Sequence, residues 1–311
     1  MGLLQVSGTI DLTQFWGSGG DSDADTAHVA VEAITYEGAP VNVFDKAYVR
    51  GRGQKAVINK GGITVRWQGI DAPELHFGPT VAKDKRAVES HIFRQHYGRA
   101  ATVALHAHLK TLAKNGDSIA CKVMSEVEKP NDVFDTYGRL IGDVLVGNVN
   151  LNLWLVEHGW AFPAFYASMT DVEITSLRNA ATTAREKRRG IWDGFTQELS
   201  FDYDLRHEKN GSANDPDGGP VLFPKIFRRL STEYVLEGGI DDFEAYLRSQ
   251  KQQDHAYLLE EYLDQGPSAA LQHNLAEFVS GGAVTFRPAD LVFVEAPSTL
   301  YDQNGRKIRS W

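Results

Sequence analysis

The chain is poor in cysteine. Cys121 is alone among 311 residues, so neither an internal disulfide nor a cysteine-rich zinc site can be built. No apolar run approaches the ~18 residues a spanning helix needs, which excludes a helical membrane protein. Positive charge is in deficit: 32 Lys and Arg stand against 41 Asp and Glu, a formal net charge of −9. Taken alone, that deficit argues against a general nucleic-acid binder, because phosphate contacts need cations. The first residues, Met1-Gly2-Leu3-Leu4-Gln5, lack the cationic start and long apolar core of a secretory signal. The expectation is a cytoplasmic protein, or one from which a leader has been removed. What is present is a globular composition, 42% hydrophobic and 23% charged, which excludes disorder as the main state. At roughly 100–200 residues per domain, the length suits one large domain or two ordinary ones.

The charge is unevenly distributed. Residues 1–199 carry 21 basic and 23 acidic residues, a net of −2, and residues 200–311 carry 11 and 18, a net of −7. Within the first part, residues 39–66 hold Lys46, Arg50, Arg52, Lys55, Lys60 and Arg66 against Asp45 alone. Such a run is either a solvated face or a hairpin that meets phosphates.

Hydrophobic periodicity organises the chain. Gln5 to Trp16, His28 to Tyr36 and Ile63 to Ile70 read as strands, with Gly51, Gly53, Gly61 and Gly62 as turn punctuation between the last two. From about Ala87 to Lys114 the pattern turns helical, with Ala101, Leu105, Leu109 and Leu112 on one face. Ser118 to Val127 and Leu140 to Val146 read as strands, and Asn150 to His158 as a short amphipathic helix. Thr170-Asp171-Val172-Glu173 is a capping box that starts another helix. Lys187-Arg188-Arg189 suits the end of that helix, and Gly190 can supply a left-handed cap. Residues 202–220, rich in Asp, Asn, Gly and Pro, read as a linker. Helical patterns follow over Lys225 to Val235, Asp241 to Leu263 and Ser268 to Val279, and Val284 to Val294 reads as one or two strands.

Three segments carry candidate chemistry. Asp21-Ser22-Asp23-Ala24-Asp25-Thr26 places three carboxylates in five residues, which repel one another unless a cation binds. In Arg66-Trp67-Gln68-Gly69-Ile70-Asp71-Ala72-Pro73-Glu74 a strand ends in Asp, and Gly69 and Pro73 allow a bend that could bring Arg66 and Asp71 to one side. Asp135-Thr136-Tyr137-Gly138-Arg139 reads, by itself, as an ordinary turn. The histidines (His28, His76, His91, His96, His106, His108 and His158) show no helical metal-ligand spacing beside a Glu, although His76 lies near Glu74. Cys121 has the setting of a packed strand residue, and the aromatics of 222–263 that of a core.

The three segments occur in the order Asp-x-Asp-Thr, Arg-x4-Asp-x-Pro-Glu and Asp-x-Tyr-Gly-Arg. Together they resemble the staphylococcal-nuclease (thermonuclease) family. Tyr97-Gly98-Arg99-Ala100-Ala101, Val149-Asn150 through Gly159, and Arg185 through Ile191-Trp192 look like that family's three helices. The resemblance covers about residues 5–195, with a long insertion near 38–60 as the main departure. It implies an α+β fold: an OB-type five-stranded barrel with three helices over residues 1–199, carrying an inserted hairpin at about 38–60. A linker over 200–220 and a mainly helical C-terminal domain with a short β segment, residues 221–311 and without a recognised family, complete the expected organisation.

The resemblance also implies roles. Asp25, Asp71 and the Ala72 carbonyl would hold one Ca²⁺; Ala72 stands where Thr is more usual, which a carbonyl ligand tolerates. Glu74 would orient or deprotonate the attacking water. Arg66 and Arg139 would grip the scissile phosphate. Tyr137 would contact a neighbouring phosphate, and Phe165 stands where the family has a second tyrosine. Thr136 replaces a lysine. The expected activity is calcium-dependent hydrolysis of phosphodiester bonds in DNA, RNA or both. The alternative is a non-catalytic nucleic-acid or protein binding module on the same fold, with the C-terminal region as the partner-binding element. Retention of Asp25, Arg66, Asp71, Glu74 and Arg139 favours the enzyme.

Overall fold

The computed structural model describes residues 1–13, 23–49, 56–79, 92–200, 218–295 and 298–311. Its compact units cut across the order of the chain. The first holds Met1–Gln68, Ala104–Trp154 and Ala296–Trp311; the second holds Gly69–Val103 and Leu155–Glu295.

The first unit is built on a closed five-stranded barrel: β1 (Gly2–Asp11), β2 (Thr26–Tyr36), β3 (Gly62–Trp67), β4 (Ser118–Val127) and β5 (Leu140–Val146). β1 pairs antiparallel with β2 and β4, β2 with β3, and β4 with β5. A parallel pairing of β3 with β5 closes the ring. The alternation read in the sequence is the alternation of burial: Leu4, Val6 and Ile10 of β1 and Leu140 and Val144 of β5 are almost inaccessible. Inward residues at period two fill a small barrel and leave the outward ones to solvent. A bulge at Ser7–Gly8 lets β1 curl, and a Cβ at Gly8 would collide with the Ala30 carbonyl. Cys121 is buried in β4, and burial, then Glu32, pushes its thiol up to about 12.

In the segment near 38–60, two described stretches meet antiparallel. Tyr48 bridges Ala56, and the Val57 amide donates to the Ala47 carbonyl at 2.9 Å. Arg50, Arg52 and Lys55 lie outside the described residues. On its other edge, Tyr48–Val49 pairs with Leu300–Tyr301. Asn131 fixes the same C-terminal stretch by accepting from the Leu300 amide and donating to the Ile308 carbonyl, both at 2.6 Å. Trp311 stacks on Tyr36 with ring centroids 4.2 Å apart.

Three helices follow the expected order: α1 (Gly98–Leu112), α2 (Leu151–Glu157) and α3 (Asp171–Glu186). α1 begins later than the periodicity predicts. Tyr97 has φ +67°, which no helix can continue upstream, and residues 80–91 lie outside the described part. The capping box of α3 is formed as read: Thr170 accepts from the Glu173 amide and Glu173 accepts from the Thr170 amide. Arg188 (φ +49°) and Gly190 (φ +50°) both take a positive φ at its end, and Arg188 is the one that directly follows the cap residue Lys187. Gly190 meets a different need, since a Cβ there would strike the Gly159 carbonyl, which accepts from the Ile191 amide at 2.9 Å.

In the second unit, residues 155–200 and 218–295 share one core. α4 (Pro224–Glu237) and α5 (Phe243–Ser249) are followed by β6 (His255–Leu258), α6 (Leu259–Gln265), β7 (Gln272–Asn274) and β8 (Leu291–Phe293). Phe165–Tyr166, β8, β6 and β7 form one sheet in that order. The single helix expected over Asp241 to Leu263 is therefore two helices around a strand. The helix expected over Ser268 to Val279 is a strand and a 3₁₀ turn, Leu275–Phe278. Pairing of Ala256, Tyr257 and Leu258 with Phe293, Val292 and Leu291 outweighs local helical preference. At its start, Asp254 is anchored by Arg229 at 2.6 Å and Lys225 at 3.3 Å. Burial pushes the Asp254 carboxyl up, but the two cations reverse this and hold it well below the ordinary range.

Candidate active site

In the first unit, the pairing of β2 and β3 does the positioning. Thr26 lies opposite Arg66, so Asp25, one residue before, reaches the Arg66 guanidinium in an ion pair with both side chains largely buried. The end of β3 is held on several sides. The Trp67 amide donates to the Asp25 carbonyl at 2.9 Å and the Gln68 amide to the Gly142 carbonyl at 3.0 Å. Buried Asn152 of α2 accepts from the Val144 amide and donates to the Gln68 carbonyl. Asp25 is 4% exposed, and burial of a carboxylate costs several kcal/mol unless a partner offsets it; Arg66 is that partner.

The turn before β5 supplies the second arginine. The Asp135 carboxylate accepts from the amides of Tyr137 (2.9 Å) and Arg139 (2.8 Å) through Oδ1 and from Arg139 Nε (2.7 Å) through Oδ2. Gly138 takes φ +78° at the corner. Arg139 also donates to the Thr26 hydroxyl at 3.4 Å, which brings it to the same strand end as Asp25 and Arg66. Its guanidinium lies 5.5 Å from the ring centre of Tyr137, and that ring is 54% exposed.

The second unit holds the remaining carboxylates. Gly69 turns the chain with φ +74°, and a Cβ there would press on Leu177 and Met169. Ile70–Asp71 then pairs with Phe162–Pro163, Asp71 opposite Phe162. Gln95 clamps the next stretch: its amide donates to the Glu74 carbonyl at 2.7 Å, and its side-chain oxygen accepts from the Glu74 amide at 3.1 Å. Gly98 is required here, because a Cβ would sit 2.7 Å from the Glu74 carbonyl oxygen. Asp71 is inaccessible and Glu74 is 7% exposed. Ala72 is buried between them.

A residue that no motif marks completes this cluster. Arg228 of α4 donates to both Asp71 oxygens, at 3.1 and 2.9 Å, and to Glu74 at 2.5 Å. Burial lowers the Arg228 pKa, but Asp71 and then Glu74 outweigh it, so the guanidinium stays charged well above its ordinary range. In the sequence, Arg228 is half of an Arg-Arg pair in an amphipathic helix, 154 residues beyond Glu74. No motif in the sequence links Arg228 to Asp71 or Glu74.

Phe165 does not offer a substrate surface. It is fully buried, and its two-residue strand pairs with β8 through Val292. An aromatic residue with no accessible area packs the core and contacts no phosphate. Asp21 and Ser22 of the acidic loop lie outside the described residues, while the Asp23 carbonyl accepts from the Thr26 amide.

The donor types that the resemblance implies are those of a hard-cation site. Carboxylate oxygens and a backbone carbonyl are the ligands Ca²⁺ prefers. Among the described residues, no three His, Cys, Asp or Glu side chains are grouped to hold a metal ion; the set implied by the resemblance is smaller, two carboxylates and a carbonyl.

Residues 64–194 match the family described as staphylococcal nuclease homologue. The match lies within the barrel-and-helix part of the chain, and the C-terminal part has no family match. The closed five-stranded barrel with its helices agrees with the OB-like fold of that family. No curated protein matches the chain. The match supports a nuclease or nucleic-acid-binding function and nucleic acid as the general partner. Among the described residues, no helix is long and apolar enough to cross a membrane.

Proposed function

We propose that the protein is a calcium-dependent nuclease that hydrolyses phosphodiester bonds of DNA, RNA or both. One observation carries this reading. Burying carboxylates is costly, yet Asp25, Asp71 and Glu74, all three named by the family resemblance, are among the few buried acidic side chains. A scaffold that keeps three charges under cover at these positions retains them for chemistry rather than for stability.

Asp25, Asp71 and the Ala72 carbonyl would hold one Ca²⁺. When bound, the ion supplies positive charge that stabilises a phosphate gaining negative charge. The chain's own groups do the rest. Arg66, held by Asp25, and Arg139, held by Asp135, present planar forks that can each bind two phosphate oxygens. Their charge is worth most as the phosphorus becomes five-coordinate, because preorganised donors need not reorient at that moment. Glu74, fixed through its backbone by Gln95, orients the attacking water or accepts its proton. Exposed Tyr137 stacks beside Arg139 and contacts the adjoining phosphate.

The alternative, a binding module without turnover, takes its support from one feature. Each of the three carboxylates already carries a guanidinium, Arg66 on Asp25 and Arg228 on Asp71 and Glu74. The deciding experiment is a cleavage assay on the full chain with single- and double-stranded DNA and RNA, in Ca²⁺, Mg²⁺ and EDTA. The expected result is cleavage with Ca²⁺ and none with EDTA. Binding without cleavage under every condition establishes the module; full cleavage in EDTA removes the metal.

A further inference from the structure

The nuclease-homologue match ends at residue 194, yet the cation that contacts two of its carboxylates comes from residue 228. We propose that Arg228 is a built-in positioning residue of the site, which locks the Asp71 and Glu74 carboxylates in register and makes the 218–295 region an obligate part of the catalytic apparatus. The proposal rests on the nuclease reading above.

Geometry supports a fixed role. The contact with Asp71 is fork-on-fork, two parallel N–H donors to two oxygens, and the same guanidinium reaches Glu74. Such pairing sets the plane and rotation of a carboxylate as well as its charge. One cation thus fixes the relative placement of a proposed metal ligand and a proposed base.

The helix that carries Arg228 is tied to the Asp71–Glu74 stretch by independent means. Gln95, which clamps the Glu74 backbone, donates its side-chain amide to the Leu222 carbonyl at 2.8 Å. Phe162, the strand partner of Asp71, packs edge-on against Phe223, the residue that precedes α4. Ile226, Phe227 and Leu230 bury the inner face of α4. Arg229 and Lys225 hold Asp254 on the next strand. An arm fastened at so many points is not a latch poised to swing away. Its arginine is part of the site's resting architecture.

Two opposite effects follow from removing this charge. Glu74 and Asp71 lose the group that orients them, so turnover slows by about the ~10²-fold that loss of one preorganised contact costs. Meanwhile one positive charge leaves the neighbourhood of a proposed Ca²⁺ ligand, so Ca²⁺ binds more tightly, by about tenfold for charges a few ångströms apart. A merely structural arginine would lower both together.

The test compares full-length wild type with Arg228→Met, Arg228→Lys and Arg228→Ala. It measures kcat and KM on a fluorogenic oligonucleotide, Ca²⁺ affinity by calorimetry without substrate, and thermal melting. Expected for Arg228→Met are a ~10²-fold loss in kcat, KM within threefold of wild type, ~tenfold tighter Ca²⁺ binding and a retained cooperative melt. Arg228→Lys, which keeps the charge without the fork, recovers part of kcat, and millimolar ethylguanidinium recovers part of the Arg228→Ala rate. A kcat within threefold of wild type in Arg228→Met overturns the proposal, and so does a faster variant, which would mark Arg228 as a block. If Arg228→Met does not fold, Arg228→Lys decides: kcat reduced at unchanged KM supports the proposal, unchanged kcat overturns it. If wild type cleaves no substrate, the nuclease reading fails and the calorimetric arm decides alone. Tighter Ca²⁺ binding in Arg228→Met then supports the charge-balancing role; equal affinity, or no Ca²⁺ binding by either protein, overturns it.

Discussion

Two arginine–carboxylate contacts differ in how the chain makes them. Arg66 meets Asp25 across adjacent antiparallel strands, one register step from the Thr26–Arg66 pair. Arg228 meets Asp71 and Glu74 from a helix 157 and 154 residues away. The first contact follows from sheet pairing between two segments that both carry motif residues. The second depends on packing of a region that has no family match. A charge contributed across a barrel wall leaves a trace in local spacing; a charge contributed by a distant helix leaves none. Both serve the same physical need, since a buried carboxylate must find a cation or become neutral.

The largest effect is expected from removing the distant region altogether. A chain ending at residue 199 deprives Phe162 of Phe223 and Phe165 of its β8 neighbour. We predict that it yields no cooperative melt by circular dichroism; a normal melt would show that residues 155–199 need no support from 218–295. Next is the barrel side. Arg66→Ala and Arg139→Ala are each expected to lose ~10²–10³ in rate, and Glu74→Ala the same, with steady-state kinetics as the measurement. Arg66→Ala is the one of the three that should also cost stability, roughly 3 kcal/mol or more, because it strands a buried Asp25. Wild-type turnover in any of them would end the assignment.

A third prediction concerns the support of α4. Asp254→Asn leaves Arg229 and Lys225 without their anion and should destabilise by roughly 3 kcal/mol in urea unfolding. A loss below ~1 kcal/mol would place the anchoring of α4 in its apolar face instead. The most gradual expected effect is a pH slope. Glu233 of α4 is buried, and burial raises its pKa to about 7; the Asp242 amide opposes this, while the charges of Asp242, Asp241 and Glu237 add to it. A folded-state pKa above the unfolded one means that the folded chain holds more protons between them. Stability therefore falls as pH rises from about 4.5 to about 7 and then levels off, by ~3 kcal/mol in all. Glu233→Gln should flatten that slope in denaturant titrations across this range; an unchanged slope would assign it to other groups.

A second pair of regions shows what a short pattern does by itself. Asp135-Thr136-Tyr137-Gly138-Arg139 and Asp302-Gln303-Asn304-Gly305-Arg306 fold into the same turn. In each, the Asp carboxylate accepts from the amides two and four residues on, the Asp amide donates to the Arg carbonyl, and the Gly takes a left-handed φ, +78° and +74°. The Asp-x-x-Gly-Arg spacing thus specifies a turn, as its reading in isolation implied. Only the first turn lies before a barrel strand whose parallel neighbour is β3, and there its arginine reaches Thr26.

How much was legible depends on range. The barrel strands, the α3 capping box, the Gly69 bend and the buried status of Cys121 were all readable, because alternation, hydrogen-bond capping and left-handed turns are local. Gly190 does take a positive φ, but its need for glycine also comes from the Gly159 carbonyl, 31 residues away in sequence. The broken helix at 241–263 and the buried Phe165 share a cause: both segments join a sheet whose central strand is β8, near the chain's end.

The same division holds for the −9 net charge and the single cysteine that marked the sequence at the outset. By itself the sequence determined the barrel and the turns and singled out Asp25, Arg66, Asp71, Glu74 and Arg139 as candidates, since periodicity and motif order act over a few residues. Only the tertiary structure decided that residues 218–295 share a core with α3 and send Arg228 to Asp71 and Glu74. Ion pairing is set by distance in space, and separation along the chain does not enter it.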